Sequence, residues 1–324
     1  MDGAGLEAQK MRIRPICTTF LRKYIIEISN NHFKRLIFGV KLKKPEKYGE
    51  DTMYQLRPDK TIQVQKAKVG KMPILILKPE KTRENVPGIL WIHGGGYMLG
   101  MKEMVYMGRA VNLVRKYGAV VISPGYRLSW QKPYPAAVND CYQTLLFMQR
   151  HFRKLGIRKD QLMVGGESAG GGLCAAVCMM ARDRKEVNVA YQMPLYPMLS
   201  NVDTESSRDN HGRIWNTRRN HIGWKLYLRK KAQSKVSPYA SPIWQKDYLG
   251  LPPAYTFVGD GEPFYAETVM YIDRLRAAGI PAAMDVYHTD MHAFDMMRPD
   301  DKLSRHAARI FEERFEYAME NYFA

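Results

Sequence analysis

The chain has 324 residues, 45% hydrophobic and 25% charged, with 50 Lys and Arg against 32 Asp and Glu for a net charge of +18. That composition excludes a disordered chain, a collagen, a coiled coil and a disulfide scaffold, and the length allows one large domain or two medium ones. The basic balance brings nucleic acid, an anionic membrane or an anionic substrate into consideration as partner, and it carries no information about fold.

In chain order, residues 1–55 read as a helical, strongly basic segment that precedes the first strand. From about residue 60 onward, short apolar runs alternate with longer helical patterns. The runs predict strands over Met72–Lys78, Gly88–His93, Ala119–Pro124, Gln161–Gly165, Ala190–Tyr196, Ala254–Gly259 and Ala282–Tyr287. Between them the pattern predicts helices near Glu103–Tyr117, Pro135–Leu155, Ser168–Arg182, Ala266–Ala278 and Leu303–Phe323. Continuous apolar strands alternating with helices are the pattern of a mostly parallel sheet covered on both faces, the α/β class. Residues 201–235 break the rhythm with a polar loop and then an amphipathic stretch (Ile214, Trp215, Ile222, Trp224, Leu226, Tyr227, Leu228). An insertion after the carboxyl end of a parallel strand lies on the ligand side of such a sheet. The expected division is therefore an N-terminal cap segment (1–55), an α/β domain (56–200 and 236–324) and a cap insertion (201–235).

The N-terminal residues show no basic region followed by an apolar one, the pattern of a secretory leader. No run reaches the roughly 18 uninterrupted apolar residues of a membrane-spanning helix. The four cysteines (Cys17, Cys141, Cys174, Cys178) form no C-x-x-C pair and have no clustered histidines, so no metal site is expected. A reducing cytoplasm fits this cysteine usage best. Cys174 and Cys178 stand four apart in a run of small residues, the spacing of inert thiols on one buried helix face.

Two motifs carry chemistry. Gly165-Gly166-Glu167-Ser168-Ala169-Gly170-Gly171-Gly172 contains G-x-S-x-G, follows the apolar run Leu162-Met163-Val164 and opens a small-residue helix. A strand-to-helix turn this tight strains the backbone at the serine, and side chains at the flanking positions would clash, hence Gly166 and Gly170. The helix that follows directs its N-terminal amides toward any anion formed at Ser168. The second motif, His93-Gly94-Gly95-Gly96-Tyr97, directly follows the run Ile89-Leu90-Trp91-Ile92. Successive glycines allow backbone amides to turn inward onto an oxyanion. His93 precedes Ser168, whereas the base of this arrangement follows the serine, so His93 is assigned to ordering the loop.

With both motifs present, the sequence resembles the hormone-sensitive-lipase-like esterases of the α/β-hydrolase fold. Further segments carry the likeness across residues 70–320: Ile122-Ser-Pro-Gly-Tyr-Arg-Leu128 with Pro133-Tyr-Pro-Ala-Ala137, Leu195-Tyr-Pro197, Ser237-Pro-Tyr-Ala-Ser-Pro242 and Leu251-Pro-Pro253. One departure is Ser129-Trp130-Gln131-Lys132, where the family usually has Ala-Pro-Glu-His. The resemblance implies an acid on the loop after Ala254–Gly259. There Glu262-Pro263-Phe264 matches the family's Asp-Pro-Leu, and Asp260 is the alternative acid. It implies a base after the last core strand, where His292 of His292-Ala293-Phe294 matches His-x-Phe; His288, at the strand end, reads as a half-buried imidazole. It further implies an oxyanion hole from Gly94, Gly95, Gly96 and Ala169, and a serine carboxylesterase acting on small to medium acyl esters through an acyl-enzyme, with no cofactor.

A sugar-ester deacetylase or an amidase would use the same residues. A non-catalytic receptor on the same fold would be expected to lose Ser168 or His292. Nucleic-acid binding would account for the charge but not for two catalytic loops in order, so the expected partner is a small-molecule ester, with a homodimer compatible with the sequence. Residues 10–47 carry a net +9 and residues 205–235 a net +7. These segments read either as a solvated surface or as a basic rim that attracts an anionic ester. Phe33, Phe38, Trp215, Trp224 and Tyr227 are candidates for an acyl pocket or for packing between cap and core.

Overall fold

The structure is a computed structural model, and it describes residues 61–324 apart from Thr82, Lys230 and Lys231. The expected N-terminal cap segment, with Cys17, Phe33 and Phe38, lies outside the described residues.

Among the described residues eight strands form one sheet: β1 (Ile62–Val69), β2 (Met72–Pro79), β3 (Val86–Ile92), β4 (Val120–Pro124), β5 (Ile157–Glu167), β6 (Tyr191–Leu195), β7 (Ala254–Gly259) and β8 (Ala282–Tyr287). Their order across the sheet is β1-β2-β4-β3-β5-β6-β7-β8. β2 pairs antiparallel with β1 and β4, and all other pairs are parallel. All residues of β3, β4, β6 and β7 are buried, as their near-continuous apolar runs require of strands covered on both faces.

β1 is absent from the sequence expectation. Its sequence, IQVQKAKV, exposes most of its residues to solvent and reads as polar. Lysines on an edge strand discourage pairing with another chain, and they also hide the strand from a search for apolar runs. The antiparallel register with β2, from Ile62 opposite Pro79 to Val69 opposite Met72, carries it instead.

The helices are α1 (Ala110–Tyr117), α2 (Ala136–Arg150), α3 (Phe152–Leu155), α4 (Ala169–Arg184), α5 (Thr217–Leu228), α6 (Tyr265–Ala277), α7 (Phe294–Met297) and α8 (Lys302–Asn321). α2 and α4 share a buried cluster with Ile74, Leu90, Ile122 and Val164 of the sheet. α1 and α8 share a separate cluster with Leu75, Ile89, Trp91, Val121 and Phe257, with Phe311 and Phe315 as its deepest α8 anchors. Because alternate residues of one strand point to opposite faces, Leu75 and Ile76 or Leu90 and Trp91 serve different clusters. α6 packs against Ala175 and Met179 of α4 through Tyr271, Ile272 and Leu275.

α4 carries both Cys174 and Cys178, buried and unoxidised. Every residue from Ala169 to Ala181 is buried, and their small size sets how closely the helix can approach the sheet. A Cβ at Gly170 would lie 2.0 Å from the Ile92 carbonyl oxygen, and one at Gly166 would lie 2.6 Å from the same atom. Glycine is therefore required at both positions by the crossing of α4 over the ends of β3 and β5. The registers Ile92 opposite Gly166, Glu167 opposite Leu195 and Gly259 opposite Tyr287 bring the carboxyl ends of β3, β5, β6, β7 and β8 to one edge. Open parallel sheets bind ligands at that edge.

Candidate active site

Ser168, Glu262, His292 and the glycines at 94–96 sit in turns and loops leaving that edge. Ser168 lies between β5 and α4 with φ 57° and ψ −120°, a strained conformation for a residue with a side chain. The turn is pinned by Ser168 N donating to Leu195 O at 3.0 Å and by Ser168 O accepting from the amides of Gly172 and Met198. The hydroxyl thereby stands at the N-terminus of a sixteen-residue helix, where amides lack intrahelical partners and the dipole favours negative charge.

His292 follows β8, and its Nε2 lies 2.9 Å from Ser168 Oγ. Its Nδ1 hydrogen-bonds to Oε2 of Glu262 on the loop after β7. Glu262 is fully buried, and its other oxygen accepts from the Gly259 amide at 3.0 Å. The imidazole is held edge-on between Tyr196, at 5.2 Å and 84°, and Phe264, at 5.0 Å and 87°. The structure thus brings Ser168, His292 and Glu262 into one hydrogen-bonded line. With Nδ1 donating to the carboxylate, Nε2 is left to accept from the serine hydroxyl.

The other candidates fall elsewhere. Asp260 accepts from His288 Nδ1 at 2.8 Å and from the Thr289 amide at 3.1 Å, and its bond to His288 holds its carboxyl below the usual range. His288 is fully exposed, not half-buried as the sequence suggests, because it projects from the sheet's edge strand after Tyr287. His93 is buried, stacks on Tyr126 at 4.2 Å, and bonds through Nδ1 to Gly94 O at 2.8 Å. Burial lowers its pKa to about 4, so it stays neutral as an ordering element of the glycine loop.

In that loop Gly95 and Gly96 adopt φ of 115° and 61°, and the amides of Met98 and Leu99 both donate to Gly95 O. The amides of Gly94, Gly95 and Gly96 have no backbone acceptor among the described residues. Gly94 lies against the serine, since a Cβ there would come within 3.2 Å of Ser168 Cβ.

Known proteins resemble this chain in sequence and in fold. The pattern of the Abhydrolase_3 family, described as alpha/beta hydrolase fold, matches residues 89–296. An arylesterase of Saccharolobus solfataricus is 30% identical over 227 residues, covering 69% of this chain and 73% of the relative. The carboxylesterase NlhH of Mycobacterium tuberculosis is 26% identical over 230 residues, covering 69% and 71%. Among solved structures, a bacterial heroin esterase superposes with a TM-score of 0.78 at 29% identity, covering 82% of this chain and 88% of its own. A hyperthermophilic esterase from the archaeon Pyrobaculum calidifontis gives 0.74 at 28%, covering 93% and 98%. The chain belongs to the hormone-sensitive-lipase-like esterases of the α/β-hydrolase fold.

As a carboxylic ester hydrolase, it surrounds the site with groups the motifs did not announce. Glu167, beside the serine, accepts from Trp91 Nε1 at 2.8 Å and lies near the buried Arg109–Asp295 pair, itself closed at 2.8 Å. Tyr196, one of the two rings flanking His292, reaches Asp295 through its hydroxyl at 3.4 Å. These contacts join positions up to 186 residues apart, and no local pattern encodes them.

Burial raises the Glu167 pKa from 4.5 to about 8, so the carboxyl is protonated in the folded esterase at neutral pH. The unfolded chain gives up that proton near its ordinary value. The stability contributed is therefore fully present below about pH 4.5 and is lost as pH rises through about 8. Melting wild type and Glu167→Gln from about pH 5 to about pH 9 should show the wild type losing ground to the variant as pH rises. Parallel curves would contradict the assignment.

The β6–β7 segment of this esterase reaches both loops of the site. Ser206 Oγ donates to Pro263 O at 2.8 Å, and Asn210 Nδ2 donates to Gly261 O at 3.1 Å. Trp224 and Tyr227 of α5 pack on Tyr97, just after the glycines, with Tyr97 and Tyr227 stacked at 4.1 Å. Of the acyl-pocket candidates, these two are core packing.

Proposed function

We propose that Ser168, His292 and Glu262 are the nucleophile, base and orienting acid of a two-step acyl transfer. The observation that carries this reading is the unbroken hydrogen-bonded line from Ser168 Oγ through His292 to Glu262. As Oγ attacks the ester carbonyl, its proton passes to His292 Nε2, and Glu262 stabilises the imidazolium that forms. The amides of Gly95, Gly96 and Ala169, with Gly94 beside them, receive the oxyanion. His292 then protonates the departing alcohol. Water, activated by the same imidazole, attacks the acyl-enzyme to release the acid and restore Ser168. All three residues come from one chain, so a homodimer is not required to complete the site.

The substrates proposed are esters of small to medium acyl groups, and residues 201–235 are proposed to act as a cap over the site. Ser168 and His292 are only 7% and 4% exposed, which supports a restricted entry. A series of p-nitrophenyl esters of increasing acyl length tests this. Turnover should peak among the short and medium chains and decline beyond them, whereas efficient hydrolysis of emulsified long-chain triglycerides would refute it.

Arg219 is half-buried and donates to the carbonyl of Ile214 at 2.8 Å, and Arg229 donates to Ser129 O at 3.3 Å. Both guanidinium groups hold backbone carbonyls while keeping their charge. Among the described residues no helix is long and apolar enough to cross a membrane.

A further inference from the structure

The indole of Trp215 rests directly on the backbone of Gly96. A Cβ at residue 96 would lie 2.1 Å from the indole Cη2 and 2.8 Å from Cζ2, so ring and backbone are in van der Waals contact with no space for a side chain between them. Gly223 of α5 approaches the same place: a Cβ there would lie 3.0 Å from Gly96 O and 3.5 Å from the Trp215 ring. Gly96, Trp215 and Gly223 form one interlocked contact between the glycine loop and the β6–β7 segment.

Trp215 is itself held in place. Its Nε1 donates to the buried Asn220 Oδ1 at 3.4 Å. The Arg219 guanidinium donates to the carbonyls of Arg213 and Ile214, and Asn216 caps α5 by accepting from the Arg219 amide at 3.1 Å. The ring's next aromatic neighbour is Phe264, at 6.4 Å, which in turn flanks His292. A run of three glycines has many accessible conformations, and the direction of each amide depends on which one is adopted.

From this contact we propose that Trp215 is a positioning residue for the oxyanion-binding amides, holding Gly96 in its left-handed conformation so that its amide is aimed before charge develops. The proposal rests on the reading of Ser168 as nucleophile and of the glycine loop as oxyanion hole. Donors of this kind act because they need no reorganisation in the transition state. A loop released from the indole must reorganise at that moment, and the loss falls on kcat rather than KM.

The test compares wild type, Trp215→Ala, Trp215→Phe and Gly223→Ala on p-nitrophenyl acetate and against an alkylboronic acid. In the boronate adduct Ser168 Oγ donates an electron pair to boron, its proton passes to His292, and the tetrahedral anion presents an oxygen to the loop amides. Trp215→Ala should lose about 10–100-fold in kcat with KM within about threefold, and the boronate should weaken in the same proportion, since removing a whole oxyanion donor costs about 10²–10³. Trp215→Phe should recover most of both. Gly223→Ala, which keeps the indole and presses a methyl on Gly96 O, should also lower kcat and boronate affinity together, even where Trp215→Ala fails to fold. Unchanged boronate affinity in a folded Trp215→Ala, or a change confined to KM or to acyl-length preference, would overturn the role and leave the indole as a pocket wall. A wild type that neither binds the boronate nor is labelled at Ser168 by a fluorophosphonate would instead overturn the underlying Ser168 reading.

Discussion

Ser168→Ala should lower turnover of a short-chain ester by about 10⁴–10⁶ while leaving the melting temperature near that of wild type. The size follows from the mechanism: without Oγ there is no acyl-enzyme, and what remains is unassisted water attack beside the loop amides. The small structural effect follows from the turn itself. Its hydrogen bonds run through Ser168 N and Ser168 O, and among the described residues the side chain's hydrogen-bond partner is His292. The strained φ of 57° is present with either side chain, so the variant neither gains nor relieves that cost. Steady-state kinetics with a thermal melt on the same sample checks both halves. A variant within about tenfold of wild type would remove Ser168 from the chemistry.

The two carboxylates of the β7 loop provide the second large contrast. Glu262→Gln should reduce kcat by about 10⁴, because a neutral amide neither stabilises the imidazolium nor fixes the tautomer that leaves Nε2 free to accept from Ser168. Asp260→Asn should change kcat by no more than about twofold, as for a surface substitution away from the site. Sequence offers little to separate two acids two residues apart. The structure separates them by partner: Glu262 is buried against His292, while Asp260 is bonded to the exposed His288. Measuring kcat for both variants on one ester decides the matter, and a reversed ranking would assign Asp260 as the orienting acid.

What the sequence disclosed, and what it withheld, follows the range of the interactions. The parallel core was legible because strands buried on both faces, such as β3 and β7, carry uninterrupted apolar runs. The turn that carries Ser168 was legible because the crossing near Ile92 O permits only glycine at 166 and 170, leaving a local mark. β1 left no such mark, since a solvated edge strand carries lysines and glutamines where the core carries valines. The setting of His292 was hidden for a different reason. Tyr196 after β6 and Glu262 with Phe264 after β7 converge on it, and only the strand order brings those two segments to the loop after β8. Trp215 stands out in the sequence as one aromatic of an amphipathic stretch beside Trp224 and Tyr227. Its contact with Gly96, 119 positions earlier in the numbering, distinguishes it from those two, which pack on Tyr97.

The central claim is that ester hydrolysis passes through a covalent bond to Ser168. Rapid quenching of wild-type enzyme during turnover of p-nitrophenyl acetate, followed by peptide mass mapping, tests it directly. The prediction is one added acetyl group on the peptide that spans the β5–α4 turn, located at Ser168, transient in wild type and absent from Ser168→Ala. An acetyl group on a different residue would contradict the account, as would rapid hydrolysis in Ser168→Ala without any acylated peptide.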